Sequence, residues 1–407
     1  MSLDPLHRLR EAFEDAIAAE LGDTYRNVDP AIHPATRPEL GDFQCNAAMG
    51  LGKRAGRPPR ELAEALIERV SANDLVASMD VAGPGFINIH IQSTAIAEAL
   101  ASIDDESLGV IPDPTPETVV IDMCGVNVAK QMHVGHLRST IIGDAFARIL
   151  TRLGHQVLRE NHLGDWGLPI AMVLYVLRSR GVDLKNLTLE ELDHAYRSAQ
   201  SAAKVDNGGL KAAMSRSSGP HRIAELEEQN EGAVEMRRHA GDTLIRLQKG
   251  ESEMQQDWRA LIDVTLTSMK DSIDLLGVEM SEENNRGESF YRSMLPDIVE
   301  WFNEHNLCRE DQGALVVDFE SRERPLLIRK SDGGYLYATT DLAAIRVRTQ
   351  TTGATHCIYV VDARQRDHFR DVFDAVKLAG WGLTPDGESV RFSHTGFGSV
   401  LGTDPKP

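Results

Sequence analysis

Apolar residues recur at helical spacing near the start of the chain, over residues 6–21, and Gly22 follows as a helix-ending residue. A second helical pattern begins at the proline pair 58–59. The segment AGPGFINIHI, residues 82–91, then alternates isoleucine with other side chains behind turn-forming glycines, which is typical of a strand. These elements predict a small α/β domain over residues 1–108, followed by a linker rich in Asp and Pro.

From residue 119 onward the pattern changes to an alternation of strands and helices. VVIDM, residues 119–123, is a short continuous apolar run, as expected for a strand of a parallel sheet that is covered on both faces. A helix is predicted after it, with Ile141 and Ile149 on its buried side and Gly154 at its end. Further strand signals occur at residues 155–161, 313–319, 325–330, 335–339 and 355–363.

The alternation predicts an α/β fold whose strands form a Rossmann-type, doubly wound parallel sheet. Its two halves would span residues 109–180 and 286–407. Between them, residues 181–285 are charge-rich and mostly helical, without a clear strand signal. We therefore expect a helical insertion there, for which the pattern indicates no chemistry.

Composition places the chain among ordinary globular proteins, since 42% of its 407 residues are hydrophobic and no apolar run approaches the roughly 18 residues of a membrane span. Four cysteines without CxxC spacing favour a reduced, cytoplasmic protein. The net charge of −19 disfavours general affinity for polyanions. A nucleic-acid contact would have to use a local basic patch such as KRAGRPPR, residues 53–60.

The stretch AKQMHVGHLRST, residues 129–140, joins the first predicted parallel strand to the helix after it. Ligands of parallel sheets bind at this position, and a helix N-terminus attracts anions through its free N–H groups. Gly135 would let a flat ligand such as a purine ring approach the backbone. His133 and His136 could donate hydrogen bonds to a phosphate, and Lys130 adds a cation. The stretch predicts a nucleotide site without a P-loop, because neither GxxxxGK[ST] nor GxGxxG occurs.

Two histidines three residues apart also occur in metal sites and in helix caps. No third ligand lies nearby in the sequence and HExxH is absent, so we predict no metal site. A capping or packing role without chemistry stays open on this short motif alone.

The longer context makes the motif more specific. HVGHLRSTIIGDAFARIL, preceded by VNVAKQM, resembles the signature region of class I aminoacyl-tRNA synthetases and, among them, of the arginyl enzymes. Other segments resemble that family in the same order along the chain: GDFQCNAAMGLGK, AGPGFINIHI, NHLGDWG, GESFY, KSDGGYLYATTDLAAIRVR, YVVDARQRDHF and GFGSVLG. The resemblance implies a class I catalytic domain with the HxGH signature, preceded by the family's N-terminal additional domain, which contacts tRNA.

The resemblance also implies roles for individual residues. The arginine-binding set would be Asp122, Asn127, His133, Tyr337, Asp341 and Gln365. The ATP-binding set would be His133, Gly135, His136, His394, Phe397, Gly398 and Val400, and the catalytic set Lys130, His133 and His136. Carboxylates suit this purpose because a guanidinium binds planar acidic partners. A solvated charge or a helix cap is the alternative role for Asp122 and Asp341, and a solvent-facing strand position is the alternative for Tyr337.

The function implied is that of an arginine–tRNA ligase. ATP, accompanied by Mg²⁺, would activate arginine to arginyl-adenylate, and the arginine would pass to tRNA(Arg). We expect a monomer in the cytoplasm that does not act on membranes. Three alternatives stay open: a ligase that passes activated arginine to an acceptor other than tRNA, an inactive tRNA-binding module, and an enzyme for another amino acid.

Two features depart from the family's pattern. Residues 123–126 read Met-Cys-Gly-Val where Ser-Ser-Pro usually precedes the asparagine, and Gln131 replaces a proline. The printed sequence stops at GTDPKP, where the family continues into a KMSK-like lysine loop and an all-helical anticodon-binding domain. A fragment of a longer product and a shortened paralogue both fit. We expect the 407-residue chain to activate arginine weakly, and activity equal to that of an extended chain would favour the paralogue.

Overall fold

The computed structural model describes residues 4–215, 220–320, 322–398 and 400, and the chain divides into two compact units, residues 1–111 and 112–407. The first unit contains helices and a four-stranded antiparallel sheet of strand order β1-β2-β4-β3. Its elements are α1 Pro5–Leu21, β1 Ile32–Pro34, β2 Phe43–Cys45, α2 Ala47–Ala55, α3 Pro59–Arg69, β3 Val76–Ala82, β4 Phe86–Ile91 and α4 Ser93–Ser102. The apolar face predicted for α1 is buried in this unit's core, as are the isoleucines of β4.

The second unit alternates strands and helices around a parallel sheet. Up to the insertion its elements are β5 Thr118–Asp122, α5 Val134–Arg152, β6 Gln156–Glu160 and α6 Leu168–Ser179. The insertion contains α7 Leu189–Ala202, α8 Asn207–Ser215, α9 Pro220–Gln248 and α10 Ser252–Leu275. After it come α11 Glu288–Tyr291, α12 Leu295–Glu304, β7 Arg309–Asp311, β8 Ala314–Phe319, β9 Arg322–Arg329, α13 Tyr337–Arg346, β10 His356–Tyr359, α14 Arg366–Leu378 and β11 Arg391–His394.

The parallel sheet confirms the predicted fold class. Its strand order is β11-β10-β5-β6, and every neighbouring pair is parallel. The chain leaves β5 for β6 on one side and returns through β10 on the other. The carboxyl ends of β5 and β10 therefore form the crevice at which sheets of this kind bind ligands.

The insertion helices pack on α6 and on the loop after β5. Leu192, Met236 and Leu261 share one apolar cluster with Val128 of that loop. A buried hydrogen bond of 3.1 Å runs from the N–H of Ala129 to the hydroxyl of Thr265 on α10. Among the residues described, no helix combines the length and the apolarity needed to cross a bilayer.

Two of the predicted strands do not join the parallel sheet. Residues 314–319 and 322–329 form, with β7, a separate antiparallel sheet of order β7-β8-β9. Gln312 and Gly313 both adopt left-handed backbone angles between β7 and β8, and such a tight turn produces an antiparallel hairpin. The alternation of strand signals along the sequence did not reveal this difference.

The prediction of a strand over residues 335–339 was wrong. Tyr337 is the first residue of helix α13, and Asp341 lies one turn into that helix. Aromatic residues favour strands locally, but the following Ala-Thr-Thr-Asp-Leu-Ala-Ala run favours a helix, and the buried hydroxyl of Thr339 hydrogen-bonds to the carbonyl of Ile328.

The buried face of α5 also differs from the expectation. Ile141 and Ile149 are 47% and 57% exposed, whereas Ser139, Thr140 and Asp144 are buried. These polar side chains can be buried because each has a partner: Asp144, for example, pairs with two arginines. The buried side of α5 therefore combines these polar side chains with apolar ones, Ile142, Phe146, Ala147 and Leu150, that pack in the core with β5.

Gly143 allows α5 to approach the end of β5. A Cβ atom at this position would lie 2.5 Å from the Cβ of Met123.

We expect Gly143→Ala to lower the free energy of unfolding by about 1–3 kcal/mol, because the added methyl group overpacks this contact. Thermal denaturation would measure it, with Gly241→Ala as the control. No atom lies within 4 Å of the Cβ position at Gly241 in α9, so that substitution should stabilise the helix by up to about 1 kcal/mol. Equal melting temperatures for the two variants would contradict the packing argument.

Candidate nucleotide and amino-acid site

A cavity of about 400 Å³ opens at the carboxyl edge of the parallel sheet. Its walls come from the loop after β5, the start of α5 and the loops after β10 and β11. The lining residues are Cys124, Gly125, Asn127, His133, Val134, Gly135, His136, Arg138, Ser139, Val361, Asp362, Arg364, Gln365, Phe397 and Val400. Most of the predicted ATP-binding residues therefore meet here, together with three of the predicted arginine-binding residues: Asn127, Gln365 and His133, which belongs to both sets.

The two signature histidines form a stacked pair at the N-terminus of α5. Their ring centroids are 3.8 Å apart. Nδ1 of His133 accepts a hydrogen bond from the N–H of Gly135, and Nδ1 of His136 accepts one from the N–H of His133. Each ring therefore caps the helix with one nitrogen, and its neutral form carries the proton on Nε2.

Electrostatics favour the neutral form of His136. Burial, together with the smaller effects of the neighbouring His133 and Lys130, lowers the pKa of this imidazole to about 4. At neutral pH the ring is uncharged and can donate from Nε2. Capping and ligand binding are thus not alternatives here, because they use different nitrogens of the same ring.

Gly135 provides the space for this pair. A Cβ atom would lie 2.8 Å from Cε1 of His133. Any side chain would push the His133 ring away from the helix start. Because Gly135 has no side chain, the His133 ring can pack at the helix start, and the cavity beside it stays open.

Hydrogen bonds fix the loop after β5 despite its unusual sequence. Cys124 and Ala129 adopt left-handed φ angles of 72° and 70°, which are strained for residues other than glycine. The hydroxyl of Ser139 accepts from the N–H of Cys124 at 2.9 Å and donates to the carbonyl of Val360 at 2.5 Å. The N–H of Gly125 donates to the side chain of Asn161 at 3.0 Å. These contacts hold the loop in place without the usual proline and serines.

Arg138 forms part of the cavity wall. Its guanidinium lies over the ring of Phe397, 4.7 Å from the centroid, and hydrogen-bonds to the carbonyl of Gly398. Phe397 and Val400 line the cavity. Residues 399 and 401–402 of the GFGSVLG motif lie outside the described residues.

Six of the predicted residues are not among those that line the cavity: Asp122, Lys130, Tyr337, Asp341, His394 and Gly398. His394 stacks on Phe369 with ring centroids 5.7 Å apart, and its buried Nε2 has no hydrogen-bond partner among the residues described. Burial lowers the pKa of His394. Nζ of Lys130 lies 4.4 Å from the ring centroid of Tyr196 on α7, in a cation–π contact with the insertion.

Three carboxylates, Asp165, Glu288 and Asp341, lie close enough for the charges of Asp165 and Asp341 to act on Glu288, and we call the three the acidic cluster. Asn127 pairs with Gly164, which immediately precedes Asp165, and the N–H of Glu288 donates to the carbonyl of Leu163. Burial, together with the smaller effects of the charges of Asp165 and Asp341, raises the pKa of Glu288 to about 8.

Each of the other two acids has its own partner. The buried Asp165 accepts hydrogen bonds from the N–H and the hydroxyl of Ser289 at 2.9 and 2.6 Å. Oδ2 of Asp341 lies 2.6 Å from Nε2 of His368, and the Tyr337 ring packs on the same imidazole at 4.7 Å. Because these carboxylates are buried or partly buried and lie near one another, the acidic cluster should attract a cation such as a guanidinium.

Glu288 is a site candidate that the sequence did not single out. The GESFY segment carried the family resemblance, but nothing in its pattern distinguished this acid from a solvated helix-start carboxylate. The surroundings of Glu288 become apparent only in the folded chain, where helix α11 lies close to Asp165 and to α13.

Asp122 ends strand β5, where the sequence predicted it, and its carboxylate already has a partner within the chain. The sequence placed it opposite a ligand's guanidinium, but the carboxylate is buried at the end of β5 and accepts a hydrogen bond of 2.8 Å from Arg348. Asp122 is not among the residues that line the cavity. An arginine of the chain itself occupies the partner position foreseen for the substrate.

Comparison with known proteins agrees with this geometry. Residues 96–407 match the family described as tRNA synthetases class I (R), catalytic domain, and residues 7–91 match the arginyl tRNA synthetase N terminal domain. The arginine–tRNA ligase of Synechococcus elongatus is 38% identical over 413 residues, which cover 99% of this chain and 65% of that protein. The arginine–tRNA ligase of Cutibacterium acnes is 37% identical over 381 residues, which cover 93% of this chain and 63% of that protein.

Solved structures share the fold. The arginyl-tRNA synthetase from Plasmodium falciparum superposes with a TM-score of 0.66 at 24% identity, over 97% of this chain and 65% of that one. The Thermus thermophilus enzyme gives a TM-score of 0.63 at 22% identity, over 97% of this chain and 66% of that one. The chain thus spans slightly less than two thirds of the length of these curated and solved relatives.

Proposed function

Because the chain belongs to the arginyl-tRNA synthetase family, we propose that it activates arginine with ATP and transfers the arginyl group to tRNA(Arg). One observation carries the proposal. The stacked histidines share a cavity with Asn127 and Gln365, and Asn127 is bridged to Gly164, the residue before Asp165 of the acidic cluster. A nucleotide and a guanidinium-bearing amino acid would therefore meet at the edge of one sheet.

The chemistry joins the arginine carboxylate to the α-phosphate of ATP. A carboxylate oxygen attacks the α-phosphorus, the new O–P bond forms, and pyrophosphate leaves with the bridging oxygen. Positioning and charge stabilisation suffice for this step, so no covalent nucleophile of the protein is needed. His133 and His136 would donate from Nε2 to the phosphate oxygens as their charge increases.

The adenosine would lie in the part of the cavity walled by Phe397 and Val400, close to Gly135. Mg²⁺ would bind together with ATP, coordinated mainly by the phosphates of the nucleotide. The described residues contain no group of three His, Cys, Asp or Glu side chains arranged to hold a metal ion.

The arginine would place its guanidinium in the acidic cluster and its backbone groups toward Asn127 and Gln365. Paired carboxylates are suitable partners because a guanidinium donates several hydrogen bonds in one plane. Tyr337 would cover the ligand from the start of α13, where its side chain is largely exposed.

The acceptor would be tRNA(Arg), contacted in part by the first unit with its basic stretch 53–60. We expect the protein to act as a monomer in the cytoplasm. Sedimentation of the purified chain would test the oligomeric state.

The experiment that tests the function is ATP–pyrophosphate exchange across the amino acids, with and without tRNA. We expect exchange with arginine and much less with lysine or citrulline, because lysine lacks the planar donors and citrulline lacks the charge. Exchange with another amino acid in place of arginine would contradict the assignment of arginine as the substrate. Exchange with arginine but no aminoacylation of tRNA(Arg) would favour another acceptor.

Arginine binding should depend on pH through Glu288. The free site holds this carboxyl largely protonated below pH 8, with Asp165, Asp341 and the Asp341-bound His368 as its titratable neighbours. A bound guanidinium favours the ionised form, so binding releases a proton. We expect the Kd for arginine to fall up to about tenfold per unit as the pH rises toward 8, and to level off above it.

Calorimetry in buffers of different ionisation enthalpy would count the released proton, and Glu288→Gln should abolish the release. The same raised pKa makes the folded state lose stability as the pH rises from 4.5 toward 8, because the unfolded chain ionises first. Arginine affinity that stays constant from pH 6.5 to 8.5 would contradict the assignment of Glu288.

A further inference from the structure

The loop after β5 passes from one apolar cluster to another on its way to the signature histidines. Its first part, with Cys124 and Val126, belongs to the cluster that contains β5 and the C-terminal half of α10. Val128 and Ala129 belong to the cluster formed by α6 and the helical insertion. The insertion therefore contacts the loop immediately before Lys130.

One side chain of α10 makes a buried polar contact at this crossing. Leu261, Met269 and Ile273 are buried on one face of the helix. Thr265 lies on the same face, at the same spacing of four residues, where the pattern favours an apolar side chain. Its hydroxyl accepts a hydrogen bond of 3.1 Å from the N–H of Ala129 and donates one of 3.0 Å to the carbonyl of Leu261. Thr265 thus supplies the acceptor that the buried N–H requires.

The backbone of Ala129 depends on contacts of this kind because it is strained. Its φ of 70° lies in the left-handed region, which a residue with a Cβ atom disfavours. Such conformations persist where the surrounding structure fixes them. Before Ala129, Gly164 holds the loop: its carbonyl accepts a hydrogen bond of 3.0 Å from the N–H of Val128, and it forms a bridge with Asn127.

The residue that follows the turn also contacts the insertion. Nζ of Lys130 lies 4.4 Å from the ring centroid of Tyr196 on α7. Residues 128, 129 and 130 are therefore each in contact with the insertion, through apolar packing, a hydrogen bond and a cation–π contact respectively.

We propose that Thr265 is a positioning residue for the activation of arginine. It fixes the left-handed turn at Ala129 and thereby places Lys130 and the following histidine, His133, at the start of α5. The helical insertion, for which the sequence indicated no chemistry, acts on the reaction through this loop. The inference rests on the proposed activation of arginine.

Two substitutions at Thr265 separate its hydroxyl from its methyl group. Thr265→Val keeps the shape and removes the acceptor, whereas Thr265→Ser keeps the acceptor. We expect Thr265→Val to lower kcat for pyrophosphate exchange by about tenfold or more, because the turn loses its anchor. The KM for arginine should change by less than about twofold, because Gly164 still holds Asn127. Thr265→Ser should retain most of the rate.

Thr267→Val is the matched control on the same helix. The exposed hydroxyl of Thr267 donates to the carbonyl of Asp263 at 2.7 Å, four residues earlier, just as Thr265 donates to Leu261. We expect this substitution to leave kcat unchanged. Equal losses of kcat in Thr265→Val and Thr267→Val would overturn the positioning role. A Thr265→Ser variant as slow as Thr265→Val, or a lowered melting temperature with unchanged kcat, would overturn it too.

A readout independent of activity separates this inference from the proposed function. The ring current of Tyr196 should shift the NMR signals of the Lys130 side chain, and in lysine-labelled protein the loss of a signal in Lys130→Arg identifies them. We expect Thr265→Val to move these signals toward those of an exposed lysine, and Thr267→Val to leave them in place. Unmoved signals in Thr265→Val would refute the positioning role even if the chain activates no arginine. Absent exchange in the unsubstituted chain would refute the function alone.

Discussion

Asp341→Asn is expected to weaken arginine binding by about 2–5 kcal/mol, a factor of roughly 30 or more in Kd. The substitution keeps the shape of the side chain but removes the charge that would face the guanidinium. It also removes the charged partner of His368. Binding of ATP should change little, because Asp341 is not among the residues that line the nucleotide cavity.

Calorimetric titration with arginine and with ATP would measure the two affinities separately. Asp367→Asn is the matched control, since this acid lies next to His368 in sequence but its side chain is 80% exposed and pairs with Arg370. Its effect on arginine binding should be small. If both variants lost arginine affinity equally, general electrostatic attraction rather than a specific contact would explain the loss.

His136→Asn is expected to lower the rate of arginine activation by about 10²–10³-fold, the usual cost of removing one donor to a charge that develops in a transition state. The KM for ATP should change less, because the interaction is strongest in the transition state. Pyrophosphate exchange at saturating substrates would measure the rate.

The choice of substitution separates the two functions of this ring. Asparagine can place its oxygen where Nδ1 lies, and so keep the cap on the N–H of His133. Glutamine can instead place an amide near Nε2 and keep the donor. We expect the Gln variant to retain more activity than the Asn variant. The reverse order would show that the cap, and not the donor, determines the rate.

Much of the fold was predictable because its signals are local. Helix α1 ends where the sequence provides Gly22, and the apolar run 119–123 gives a strand of the parallel sheet because such strands are buried on both faces. The motif at residues 133–136 predicted a site at the start of a helix, and the cavity lies there. Each of these features depends on residues that are close together in the chain.

The features that the sequence did not reveal depend on distant residues. The polar face of α5 is buried because Ser139 and Asp144 find partners on other elements, and periodicity alone assigns such a face to solvent. Arg348 carries no sequence signal of burial, since arginine is normally exposed, and its partners lie 188 and 226 positions away. The raised pKa of Glu288 likewise arises from acids on other segments.

The hydroxyl of Ser139 has a consequence for how the protein folds. It joins the loop after β5 to the carbonyl of Val360, 221 positions further along the chain, and the whole helical insertion lies between them. Contacts of such long range form late, because the chain must first close a large loop. The cavity therefore exists only after both halves of the domain have assembled. A nucleotide that binds it selects the fully assembled state and, at a hundredfold excess over its Kd, should stabilise the domain by about 2.7 kcal/mol.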